Sequence, residues 1–148
     1  RHSNAMAIFA TEDFEICTRL VQGEYYKYQN MFKELPLHTV ISRKELLDAM
    51  VRAKMCTAEK CPVKFEIAGS QLGLSIKDQT TDYHETVDLQ ENISEELTIG
   101  FDARLVIETL KAFDCDNVGI SLQSPKMPMI IEAEDSDFKT IVLPVAIK

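Results

Sequence analysis

Tryptophan is absent from this chain, and glycine, proline and cysteine are scarce, at five, five and four residues. So little glycine and proline excludes collagen-like and low-complexity architectures, which need both in bulk. The cysteines, Cys17, Cys56, Cys61 and Cys115, form no C-x-x-C pair, and no histidine at ligand spacing completes a zinc set. They read as reduced thiols, with no metal and no disulfide framework. No apolar run approaches the ~18 residues that span a bilayer, and no charged-then-apolar leader opens the chain. The expectation is a cytoplasmic protein without membrane contact. Basic residues are in deficit, 16 against 24 acidic for a net charge of −8. Loose coating of nucleic acid is therefore disfavoured, although a net figure can conceal a local basic face. No glycine-rich phosphate loop is present, so an ATP-driven role finds no support.

What is present suits one folded domain, since 148 residues can bury a sizeable core without staples. The opening RHSNAM resembles a cloning scar before a start methionine, and residues 1–5 are set aside. Period-two alternation predicts strands over 14–21, 63–67, 72–76, 82–89, 118–122, 127–131 and 138–147. Two segments have helical spacing instead: SRKELLDAMVRAKM, with Leu46, Leu47, Met50 and Val51, and DARLVIETLKAF, with Val106, Leu110 and Phe113. Ser42 followed by Glu45 is a capping box, and Asp102 can cap the second helix.

The two halves repeat in kind and order: strand, cap, helix, antiparallel strands. VISRKELLDAM overlies GFDARLVIETL at a shift of about 60, and VKFEI overlies VGISL at about 55. The simplest packing lays both helices side by side on one face of continuous sheet. That is an α+β domain with pseudo-twofold symmetry.

A strand ending in an LVxG-type turn before an aromatic-rich stretch, TRLVQGEYYKYQNMF, is followed by ELLDAMVRAKM, VKFEIAGSQLGLSI, ELTIGFDARLVIETLKAFDCDNVGISL and a closing IVLPVAI. In this order the segments resemble the bacterial sliding clamp, the beta subunit of DNA polymerase III. The likeness runs from the junction of its second and third domains to its end. It implies a non-catalytic processivity factor without cofactor. In the family, two copies of three such domains form a homodimeric ring around duplex DNA, and the third domain binds short peptides of polymerase, clamp loader and repair proteins. Residues 6–32 then correspond to the remnant of a preceding domain and the junction, and 33–148 to the C-terminal domain. The chain reads as a C-terminal piece, which alone should not encircle DNA.

The resemblance implies three sets of residues. Tyr26, Asn30 and Met31 of the junction, Pro128, and Leu143, Pro144, Val145, Ala146 and Ile147 at the end map onto the family's peptide pocket. Arg43, Lys44, Arg52 and Lys54 on the first helix, with Arg104 and Lys111 on the second, map onto the surface that faces DNA. Met55, Cys56, Asp82 and Glu85 map onto the ring interface. Two positions depart from the family pattern: Tyr26 stands where relatives often carry proline, and Ala146 where they carry a basic residue. From the residues alone, Pro144 cannot donate to a ladder and so pushes the terminal stretch to an edge or off the sheet, while Ile141 and Val142 belong to the core. Residues 14–20 read as an edge strand without native neighbours, expected to pair with another copy or to lack order. A reading of another class stays open, a small α+β enzyme using the acidic row 132–137 (Glu132, Glu134, Asp135, Asp137) or the histidines His38 and His84. The row lacks EF-hand spacing and suits a solvated turn.

Overall fold

A computed structural model describes residues 5–56, 61–77 and 81–147; of the opening residues set aside above, 1–4 lie outside the described residues. The chain divides into two compact units, residues 1–30 and 31–148.

In the first unit, β1 (Met6–Ala10) pairs antiparallel with β2 (Glu15–Arg19), Ile8 opposite Cys17. This corrects the expectation that the second of these strands lacks a native neighbour: MAIFA is apolar throughout and carries no alternation to announce a strand. Thr11 closes the hairpin, its hydroxyl accepting from the amides of Asp13 and Phe14. Gly23 takes φ +121, a conformation that costs other residues strain. A short 3-10 turn, Tyr28–Met31, follows.

The second unit holds β3 (Leu37–Ser42), α1 (Arg43–Met55), β4 (Val63–Lys77), β5 (Asp82–Phe101), α2 (Ala103–Lys111), β6 (Asn117–Leu122), β7 (Met129–Ala133) and β8 (Lys139–Val142). Its six strands run in the order β4-β5-β3-β6-β7-β8 with antiparallel pairing. The separate strands expected at 63–67 and 72–76 are one strand, β4, whose register shifts on either side of Gly69, where φ is +60. The strand expected over 82–89 continues to Phe101, and the one expected over 138–147 stops at Val142.

Both helices start where the caps predict. The Ser42 hydroxyl accepts from the Glu45 amide at 3.4 Å, and the Asp102 carboxylate from the Arg104 amide at 2.9 Å. α1 and α2 pack side by side. Leu46, Met50, Val106 and Leu110 are fully buried, as are Ile41, Phe65, Ile99, Phe101, Leu122 and Met129 of the strands. Phe65 and Phe101 meet edge to face at 5.0 Å. Thr39 and Ser121 are buried polar residues, and the Thr39 hydroxyl donates to the Glu91 carbonyl.

Candidate partner-binding groove and charged corner

β8 pairs Val142 with Met129, and the chain then leaves the ladder at Pro144, which has no N–H to donate. The next residue is tied back to the fold by one backbone hydrogen bond: the Val145 amide donates to the Gly100 carbonyl of β5 at 2.8 Å. Gly100 is buried beneath the terminal segment. A Cβ on it would lie 2.7 Å from Ile147 Cγ1 and 2.8 Å from the Val145 carbonyl oxygen. Docked in this way, the segment still exposes Leu143, Val145 and Ile147, at 57%, 38% and 42%. Three apolar side chains on an ordered backbone form a row able to receive apolar anchors of a peptide. Pro128, next to Met129 and therefore close in register to Val142, is half-buried, as is Met31. Ala146 is exposed. Tyr26 and Asn30 belong to the first unit, where both are exposed.

A second cluster lies where α1 ends beside the start of β5. The Arg52 guanidinium makes a two-point pair with Glu85, Nε to Oε2 at 3.0 Å and Nη2 to Oε1. The Tyr83 hydroxyl donates to the same carboxylate and lies 3.3 Å from the Ala49 carbonyl. Arg52 holds the Glu85 carboxyl below its ordinary range. Burial, with the Glu85 charge, pushes the Tyr83 phenol up to about 12. The Thr81 hydroxyl donates to the Cys56 carbonyl at 3.2 Å, fastening the helix end to the strand. Met55, 82% exposed, projects from this corner with exposed Cys56 and Asp82. The fold thus gathers the four residues expected at a ring interface, together with Arg52 from the DNA-facing set.

The other basic residues are deployed unequally. Arg43 is half-buried and its Nε donates to the Cys115 carbonyl, tying α1 to the segment after α2. Arg104 pairs with Asp102, its own helix cap, at 3.0 Å. Lys44, Lys54 and Lys111 are exposed. Arg43, Arg52 and Arg104 of the expected DNA-facing set thus make side-chain bonds within the protein.

The histidines and the acidic row read differently in three dimensions. His38 Nδ1 stands 3.0 Å from Ser121 Oγ and 3.8 Å from Glu132 Oε1, beside a cavity of about 360 Å³. Both partners face the same ring nitrogen. A nucleophile–base–acid relay needs them on opposite nitrogens, so this grouping does not carry that chemistry. Glu132 leaves the expected solvated turn: it sits in β7, half-buried, and pairs with Lys139 at 2.6 Å, which raises the Lys139 pKa. Glu134, Asp135 and Asp137 are exposed. His84 lies near Glu66, whose carboxyl is held down mainly by Lys64. Among the described residues no group of three or more His, Cys, Asp or Glu side chains is placed to hold a metal ion.

Residues 33–146 match the family model of the DNA polymerase III beta subunit, C-terminal domain. The chain belongs to this family. The beta sliding clamp of Streptococcus pneumoniae is 27% identical over 150 residues, covering 97% of this chain and 39% of that protein. The beta sliding clamp of Vibrio cholerae is 26% identical over 151 residues, covering 97% and 40%. Among solved structures, the beta subunit from DNA polymerase of Streptococcus pyogenes superposes with a TM-score of 0.85 at 26% identity, covering 97% of this chain and 40% of that one. The sliding clamp of Caulobacter crescentus gives 0.91 at 15% identity, with 99% and 40% covered, a likeness of fold alone. The chain therefore spans about two fifths of the length of these clamps.

Two residues of the site escape a reading of the sequence. Tyr83 reads there as one alternating strand position among several, and nothing local announces its bond to Glu85. Gly100 has a signal in the family's IGF segment, but its reason is the terminal segment lying against it, a contact across more than forty residues.

Proposed function

We propose that this chain acts as the C-terminal domain of a bacterial sliding clamp. In the complete ring it would help to encircle duplex DNA in the cytoplasm and tether the replicative polymerase, without catalysing a reaction. The observation that carries this reading is the docked terminus: Val145 bonded to Gly100, with Leu143, Val145 and Ile147 still open to solvent. Such a row suits the apolar anchors of linear motifs in the polymerase catalytic subunit, the clamp loader and other clamp-binding proteins. Met31 and Pro128, which belong to the same unit as the terminal segment, are assigned to the same groove.

Ring closure is assigned to the corner of Met55, Cys56, Asp82 and Glu85, where an exposed methionine sits among acidic groups able to meet a basic partner surface. Arg43, Lys44, Arg52, Lys54, Arg104 and Lys111 are assigned to the DNA side. Modest positive charge suffices there, because a topological tether must slide and tight phosphate contacts would impede it.

Titration with an apolar peptide of the QLxLF type tests the reading. Saturable binding to this chain, weakened at least tenfold by Leu143→Asp and by Met31→Asp, is expected. A folded chain that shows no saturable binding would overturn it.

A further inference from the structure

Building on the groove reading above, we propose that Gly100 is the positioning residue of the C-terminal segment: its missing side chain seats residues 145–147 on β5 and so sets how Leu143, Val145 and Ile147 are presented. The glycine is not there for backbone freedom, because positive φ occurs among the described glycines only at Gly23 and Gly69. Close approach is the reason. An added Cβ would stand 2.7 Å from Ile147 Cγ1 and 2.8 Å from the Val145 carbonyl oxygen. The Ile147 methylene could rotate aside. The Val145 carbonyl is backbone, however, and moves only if the segment lifts. Its amide donates to Gly100 itself at 2.8 Å, so that lift stretches the hydrogen bond that docks the segment.

The internal repeat supports this assignment. At the shift of about 60, Gly100 overlies Val40, a half-buried residue of β3 two places before the Ser42 cap. The place ahead of the helix cap therefore does not itself demand glycine in this fold. In the second half the added requirement is the terminal segment, which lies against Gly100. Gly73 gives a contrast within the same sheet: a Cβ there would meet nothing closer than 3.5 Å.

Amide hydrogen exchange and peptide titration on the full chain test the proposal. Gly100→Ala is expected to speed exchange of the Val145 amide at least tenfold and to weaken the QLxLF-type peptide at least tenfold. Exchange at Phe65 and Ile99, a buried pair of β4 and β5, should stay unchanged. Ile147→Ala, a change at an exposed position that leaves the core intact, should also speed exchange at Val145, whereas Gly73→Ala should do neither. Unchanged protection of Val145 in Gly100→Ala overturns the proposal, and so does an equal loss of protection there in Gly73→Ala. If Gly100→Ala does not fold, unchanged exchange at Val145 in Ile147→Ala overturns it instead. A wild-type chain that binds no peptide would remove the groove reading alone, since exchange at Val145 still reports on Gly100.

Discussion

Arg52 in the last turn of α1 and Glu85 on β5 are joined by a two-point ion pair, and the Tyr83 hydroxyl donates to the same carboxylate. One pair thus links the helix that carries the expected DNA-facing charge to the strand that carries the expected ring-interface charge. Neither side chain can engage an outside partner fully without loosening the other. A basic surface closing on this corner would compete with Arg52 for Glu85.

The pair makes stability depend on pH in a defined direction. Glu85 titrates below its ordinary 4.5 in the folded chain. Its contribution is therefore complete above the unfolded value and lost as pH falls through the depressed folded value. Urea denaturation between pH 3 and 7 should show less acid destabilisation in Glu85→Gln than in the wild type. Parallel curves for the two proteins would refute the assignment.

Tyr83 acts at the opposite end of the scale. Its phenol is raised from 10.0 to about 12, so its contribution is complete below the unfolded value and lost as pH climbs through the folded one. Absorbance titration at 295 nm should show a tyrosine step near pH 12 that Tyr83→Phe removes.

Leu110 on α2 is fully buried in the shared core. Leu110→Ala should cost about 2 to 5 kcal/mol, the range for a leucine truncation that leaves a cavity. Exposed Leu105, on the same helix, should cost well under half of that when changed to alanine. Chemical denaturation of both variants gives the comparison, and equal losses would contradict the burial pattern.

Thiol reactivity should separate two cysteines. Cys56 is exposed at the end of α1, whereas Cys115 is half-buried, hydrogen-bonded to the Asn117 carbonyl at 3.0 Å, and raised in pKa chiefly by burial. Labelling with a disulfide reagent near pH 8, read by peptide mass, should modify Cys56 much faster than Cys115. The reverse order would show that the segment after α2 opens.

The helices were legible because their signals are local: caps at Ser42 and Asp102 and apolar spacing across single turns. Leu143 onward was legible as an exit from the sheet because proline removes a donor wherever it stands. β3 was absent from the alternating segments because Thr39 fills an inward position, and its hydroxyl bonds to the distant Glu91 carbonyl. β4 and β5 appeared as shorter strands because the register shifts around Gly69 break the period of two.

The sequence by itself determined the α+β class, the duplication, both helix starts and, through ordered motifs, the family. These rest on interactions within a few residues or on patterns that repeat along the chain. Only the tertiary structure decided that Arg52 and Glu85 neutralise each other and that His38 shares one ring nitrogen between Ser121 and Glu132. It alone brought residues 145 and 147 against Gly100. Each of these depends on atoms brought together across thirty or more residues, and a distance of that kind has no period to read.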